Sequence, residues 1–204
     1  MAFMVEAQKE RKASLRDIIQ RIRVPAGFLL IPLLLFIAKP TALSMVVGFV
    51  VALGGLAIRA WSSGCLKKNR ELTTWGPYAF TRNPLYLGTF IMGIGVALGS
   101  GVAWFVVLFM IVYLVIYLPV MFAEADYMRE LFPEAYGDYG RAVPLFVPRL
   151  TPYRASSFGK AGIKETSSGA NRFQPSLYLR HREYNAALGV IAVFAFFIAR
   201  YLWR

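Results

Sequence analysis

The chain has 204 residues, of which 57% are hydrophobic, and a formal net charge of +12. That apolar share is too large for one soluble core and points to a polytopic membrane protein. The single cysteine, Cys65, excludes an internal disulfide and a cysteine-rich metal site.

The basic excess alternates with apolar segments instead of gathering on one face, which argues against a nucleic-acid partner and for topology and anionic headgroups. Six of the 23 Lys and Arg fall within residues 1–23, five between Arg59 and Arg82, and nine between Arg129 and Arg182. All three groups are expected on the cytoplasmic side of the membrane.

Residues 1–23 carry Glu6, Glu10 and Asp17 among their cations and lead to no small-residue cleavage site, so they are not expected to be a signal peptide. Ser14-Leu15-Arg16-Asp17 has the form of a capping box, and Leu15, Ile18, Ile19 and Ile22 share one helical face. An amphipathic helix lying on the inner leaflet is predicted there.

Val24 to Trp61 is far longer than the ~20 residues one span needs, and Lys39-Pro40-Thr41 interrupts it midway. Two spans joined by a tight outside turn follow, the first with Pro25 and Pro32 to tilt or kink it. In the second, Gly48, Gly54 and Gly55 are expected to permit close helix contact. Ser62 to Asn83 reads as a cytoplasmic loop carrying Lys67, Lys68, Arg70 and Glu71.

A third span runs from about Pro84 to Leu98, with Gly95 and Gly99 at a close-packing spacing. Gly99-Ser100-Gly101 turns the chain, and Val102 to Ala123 returns it, so a hairpin of two spans brings Pro84 and Glu124 to the same side. Beyond Glu124, the residues Met128, Leu131, Phe132, Ala135, Tyr136 and Tyr139 keep helical spacing, with Pro133 breaking or restarting the helix. This element is expected to lie on the membrane surface and to cover a pocket.

Thr151 to Leu179 is a long, Ser- and Gly-rich connector. Tyr184 to Trp203 forms a fifth span anchored by Arg180, Arg182, Trp203 and Arg204. The one histidine, His181, sits in that anchor and reads as structural.

The densest polar chemistry lies in Gly76-Pro77-Tyr78-Ala79-Phe80-Thr81-Arg82-Asn83-Pro84-Leu85-Tyr86-Leu87-Gly88, where a polar loop enters an apolar helix. Pro84 suits the first helical turn, and the free N–H groups just beyond it favour an anion such as a carboxylate. The same residues also suit a plain turn with interface anchors, and local chemistry leaves both readings open.

This segment resembles the Gly-x-Tyr-x-x-x-Arg-(His or Asn)-Pro-x-Tyr-x-Gly motif of the isoprenylcysteine carboxyl methyltransferase and phospholipid N-methyltransferase superfamily of integral membrane enzymes. It is matched by Gly76, Tyr78, Arg82, Asn83, Pro84, Tyr86 and Gly88. A second family motif is similar to Glu124 followed by Phe132, Tyr136 and Tyr139, then Val143-Pro144 and Pro148. The resemblance covers about Arg70 to Pro148.

The resemblance implies S-adenosylmethionine as cofactor and an amphiphile drawn from the bilayer as substrate; membrane lipids are the other expected partners, and neither nucleic acid nor an obligate protein partner is expected. It implies cofactor contacts from Tyr78, Arg82, Asn83, Pro84, Leu85 and Tyr86, from Arg70, Glu71, Leu72 and Thr73, and from Glu124, with Arg82 and Glu124 as the catalytic pair. A zwitterionic methionine end, a cationic sulfonium and a flat adenine call for a cation, a carboxylate and aromatic faces, and these residues supply each kind.

Two departures stand out. Asn83 replaces a histidine found in many relatives and cannot titrate. The prenylcysteine enzymes carry an arginine one helical turn before the glutamate, where this chain has Pro119, Val120 and Met121. The methyl acceptor expected from the resemblance is an isoprenylcysteine-like carboxylate or a lipid amine; the missing arginine argues against a prenylcysteine carboxylate and leaves a lipid amine or another amphiphile open.

Membrane sterol reductases share an Arg-Asn-Pro-x-Tyr segment but use NADPH, and a non-catalytic scaffold or transporter subunit is the third class weighed. The resulting expectation is an all-α, multi-pass protein of about five spans, with its active site at the cytoplasmic face. Its parts are the interfacial helix (1–23), a four-span core (24–148), a polar loop (149–183) and a C-terminal span (184–204).

Overall fold

A computed structural model of the chain describes residues 30–66, 72–154, 173–180 and 182–203. Its elements are α1 (residues 30–37), α2 (Ala42–Cys65), a 3-10 turn (Gly76–Ala79), α3 (Pro84–Gly99), α4 (Ala103–Leu131), α5 (Pro133–Ala142), α6 (Pro175–Arg180) and α7 (Tyr184–Leu202). No strand occurs among the described residues, and the protein is all-helical. The expected interfacial helix at 1–23, the loop residues Lys67, Lys68, Arg70 and Glu71, and His181 lie outside the described residues.

Among the described residues, three helices are long and apolar enough to cross a membrane: α2 with 24 residues, α4 with 29 and α7 with 19. Large apolar side chains such as Phe36, Leu43, Val115 and Leu188 stay exposed on these and neighbouring elements, as a lipid-facing surface requires. The fourth apolar helix, α3, has only 16 residues.

The break at Lys39-Pro40-Thr41 becomes a helix start, because Thr41 and Ser44 form a reciprocal capping box at the head of α2. The Lys39 amide donates to the Ser100 carbonyl at 2.8 Å, which sets this turn against the Gly99–Gly101 turn. Gly101 has φ +72°, and a Cβ there would lie 2.2 Å from the Lys39 carbonyl oxygen, so only glycine fits.

α2 and α3 form the most extensive helix pair, and they meet backbone to backbone. A Cβ added at Gly48 would lie 2.5 Å from the Gly95 carbonyl oxygen, and one at Gly55 would lie 2.4 Å from the Met92 amide nitrogen. Gly54 differs from the expectation: it faces outward with nothing within 4 Å of an added Cβ. One residue of rotation on a helix, ~100°, separates a packing glycine from an exposed one.

At ~1.5 Å per residue α4 is about 43 Å long, more than the ~30 Å hydrocarbon core, so its last turns carry Glu124 beyond the apolar slab. The chain breaks at Phe132 and restarts at Pro133, which occupies the first turn of α5. The polar loop expected at 149–183 is not uniformly irregular. Residues 173–180 dock on the end of α2, with the Gln174 amide donating to the Gly64 carbonyl at 2.9 Å, and α6 forms there.

Candidate functional site

Two stretches far apart in sequence close on each other through their main chains. The Arg82 amide donates to the Pro144 carbonyl, the Arg149 amide to Phe80 and the Tyr153 amide to Ala79, each at 2.9 Å. Side chains reinforce the seam. Thr81 Oγ1 donates to the Phe146 carbonyl at 3.0 Å, Asn83 Nδ2 to the Leu145 carbonyl at 3.0 Å, and the Tyr139 hydroxyl to the Tyr78 carbonyl at 2.7 Å. The two motifs that carry the family resemblance are thus one structural unit.

That unit walls a cavity of about 670 Å³, within the ~300–1,000 Å³ usual for ligand sites. Leu72, Thr73, Tyr78, Arg82, Asn83, Pro84, Leu85, Tyr86 and Glu124 all line it, together with Tyr136 and Tyr139 of α5. Arg70 and Glu71 lie outside the described residues. Asn83 spends its amide on the Leu145 carbonyl and so holds the seam as well as facing the cavity.

Three polar atoms in this wall are buried without a hydrogen-bond partner among the described residues: Thr73 Oγ1, the Tyr78 hydroxyl and Arg82 Nε. A buried donor left unmade costs ~1–3 kcal/mol, so three converging on one cavity mark a place built for a polar ligand. Arg82 is held in place from its other nitrogens: Nη1 donates to the Tyr136 hydroxyl at 3.1 Å, and the guanidinium carbon lies 5.8 Å from the centre of that ring.

Elsewhere in the lining, Glu124 Oε1 accepts from the Tyr86 hydroxyl at 3.3 Å. Tyr86 packs 5.6 Å from Tyr117, which stacks 4.2 Å from Tyr113, and the Tyr113 hydroxyl donates to the Tyr86 carbonyl at 2.8 Å. Burial, followed by the neighbouring Tyr139 phenol, pushes Tyr78 well above the usual tyrosine range. Burial likewise raises Tyr139, with Tyr136 adding to the rise and Arg82 opposing it. Both phenols are therefore neutral donors at physiological pH.

Arg59 and Tyr117, which line the cavity, and Tyr113 behind it escaped the sequence reading. Arg59 looked like one more topological cation, but it turns inward, where Nε and Nη2 donate to Glu183 Oε2 at 3.0 and 2.8 Å and Nη1 to Thr89 Oγ1. Its signal was present: Gly48, Ala52 and Gly55 form the buried stripe of α2, and Arg59 continues it one turn on. Tyr113, behind the cavity wall, and Tyr117, in it, are spaced four apart, with Glu124 two turns further along the same helix face.

A second cavity, of about 360 Å³, adjoins the first. It is lined by α1, α3, α4 and α7, almost entirely with apolar side chains, and Thr89 and Tyr117 belong to both cavities. Among the described residues no group of three or more His, Cys, Asp and Glu could hold a metal ion.

Residues 42–135 match the family model described as phospholipid methyltransferase. A nickel-cobalt-cadmium resistance protein of Alcaligenes xylosoxydans xylosoxydans is 31% identical over 91 residues, 45% of this chain and 42% of that protein. A cobalt-zinc-cadmium resistance protein of Cupriavidus metallidurans is 36% identical over 93 residues, again 45% and 42%. The matched region thus spans less than half the length of these curated relatives. No solved structure matches the chain. The matched segment contains α2, α3, α4 and the whole Gly76–Gly88 motif, and over it the chain is similar to the phospholipid methyltransferase family, part of the isoprenylcysteine and phospholipid methyltransferase superfamily.

Proposed function

We propose that the protein is an S-adenosylmethionine-dependent methyltransferase that acts on an amphiphile at the cytoplasmic face of the membrane. The observation that carries this reading is the trio of buried polar atoms without a partner among the described residues, Thr73 Oγ1, Tyr78 hydroxyl and Arg82 Nε, in the wall of one cavity that also holds Glu124. A cation and a helix start stand near one part of the wall and a carboxylate on another, which suits a zwitterion. The residues present therefore fit the cofactor that the family uses.

Arg82, steadied by Tyr136, and the first turn of α3 would hold the carboxylate of the methionine moiety. Glu124 would hold its ammonium group, and the tyrosines would offer faces to the adenine and the sulfonium. When bound, this cofactor supplies an electrophilic methyl group on a cationic sulfur. The protein's own task is then to orient an acceptor and exclude water, and no dedicated base is compulsory for an anionic or lone-pair nucleophile.

α5 supports water exclusion, since Tyr136 and Tyr139 are both buried against the cavity rim. The adjoining apolar cavity supports an acceptor with a hydrocarbon portion, entering between α1, α3, α4 and α7. Calorimetric titration of the purified protein with S-adenosylhomocysteine and with NADPH tests the reading. Binding of the first alone is expected; binding of NADPH alone makes it a reductase, and binding of neither makes it a scaffold.

A further inference from the structure

Arg59 is a charge inside a membrane helix, and such charges are costly enough to be functional by default. It stands six residues before the end of α2, and its guanidinium reaches Thr89, where the two cavities adjoin. Its partner Thr89 lines both, and Arg59 itself lines the larger one. The guanidinium has five N–H donors, and Glu183 and Thr89 take three of them. Both bonds to Glu183 end on a single oxygen, Oε2.

The turn that presents Glu183 is itself costly. Arg182 has φ +53°, the only positive φ at a non-glycine among the described residues. The fold thus accepts strain to place one carboxylate oxygen behind Arg59 while two of its donors remain. At this junction one side is apolar and the other polar, which is where the headgroup of an amphiphile would come to rest.

We infer that Arg59, oriented by Glu183, recognises an acidic headgroup, a carboxylate or a phosphate, on the methyl acceptor. This rests on the methyltransferase reading and narrows its substrate class. Arg59 selects the acceptor, and Glu183 is a positioning residue that also weakens the cation's hold on an incoming anion.

The two members of the pair then have opposite effects on one measurement. The full chain in detergent is loaded with a fluorescent long-chain fatty acid, which is displaced by dodecanoate, dodecyl phosphate or dodecylamine. In the unaltered protein the two acids are expected to compete better than the amine, and the better of the two identifies the headgroup. Arg59→Gln should weaken both acids by about tenfold or more, as for loss of a charge-assisted bond. Glu183→Gln should tighten them, and Arg59→Lys should keep the preference for acids in a weaker form.

An ion pair that only ties α2 to α7 would shift Arg59→Gln and Glu183→Gln in the same direction, and that result, no shift in either, or a preference for the amine overturns the assignment. If Arg59→Gln does not fold, Glu183→Gln and Arg59→Lys decide: the assignment falls unless the first tightens acid binding and the second retains it. Calorimetry with S-adenosylhomocysteine separates the two levels. Failure of the unaltered protein to bind it overturns the underlying reading, whereas unchanged binding with same-direction shifts overturns the role of Arg59 alone.

Discussion

Adding one methyl group at Gly55 should damage the protein, while adding the same group at Gly54, its neighbour, should not. A Cβ at Gly55 would sit 2.4 Å from the Met92 amide nitrogen and 2.6 Å from the Gly88 carbonyl oxygen. Ordinary contact begins at 3.4 Å, so α2 and α3 must part by about 1 Å (3.4 − 2.4), because neither obstacle is a side chain that can swing aside. Overpacking costs ~1–3 kcal/mol, and two backbone clashes place Gly55→Ala near the top of that range. At roughly 2–4 °C per kcal/mol for a chain of this size, Gly55→Ala should lower the midpoint of thermal unfolding in detergent by roughly 6–12 °C. Gly54→Ala meets nothing within 4 Å and gains helix propensity, so its midpoint should stay level or rise slightly. Because Gly88 closes the motif and Arg59 follows Gly55 by one turn, Gly55→Ala should also weaken ligand binding. Equal midpoints for the two variants would refute the backbone contact between α2 and α3.

Arg82→Ala and Glu124→Gln should each reduce affinity for S-adenosylhomocysteine by roughly 10- to 100-fold, the loss of one charge-assisted hydrogen bond, measured by calorimetry. Values within twofold for both, in folded protein, would return these residues to the role of interface anchors. Tyr78 and Tyr139 have raised pKa values, so their contribution to stability is complete below the ordinary tyrosine value of 10.0 and is lost as pH climbs above it toward the folded values. Neither should ionise by pH 10, and replacing either by Phe should leave the tyrosinate absorbance at that pH unchanged; a drop would show an accessible phenol. The Lys and Arg distribution predicts that the turn after α3 lies on the outside. Ser100 is buried, so the test places a cysteine at exposed Ala103, and labelling only from the cytoplasm would invert the topology. The native thiol, Cys65, is buried and gives little background.

Sequence reading was strongest where proline and glycine fix backbone choices. Pro84 at the head of α3, the restart at Pro133 and the turn at Lys39-Pro40-Thr41 all follow from φ restriction and missing donors, which need no tertiary context. The meeting of Glu124 with the Arg82 motif was legible too, because two helices joined by a short turn must return to the same level. Which face a residue occupies was harder to read. In an apolar helix surrounded by lipid and by other apolar helices, hydrophobicity does not distinguish inside from outside, so Gly54 and Gly55 looked alike and Arg59 passed for a topological cation. The second cavity left no mark, since the side chains around an apolar void have the same composition as a packed apolar interface.

The seam between 79–82 and 144–153 bears on how the protein is made. Its three amide hydrogen bonds join the loop before α3 to residues that leave the ribosome 62 to 74 positions later (144 − 82 and 153 − 79), after the α3–α4 hairpin is available for insertion. Until Pro144, Arg149 and Tyr153 emerge, the carbonyls of Phe80 and Ala79 and the amide of Arg82 can be satisfied only by water. The candidate binding cavity is therefore among the last features to form, and the nascent chain carries its membrane anchors well before it can engage a ligand. A chain ended at Ala142 would retain α2, α3, α4 and α5 while lacking the clasp that shapes the site. Such a product should insert normally and be inert, which makes the stretch after α5 a point of quality control distinct from membrane integration itself.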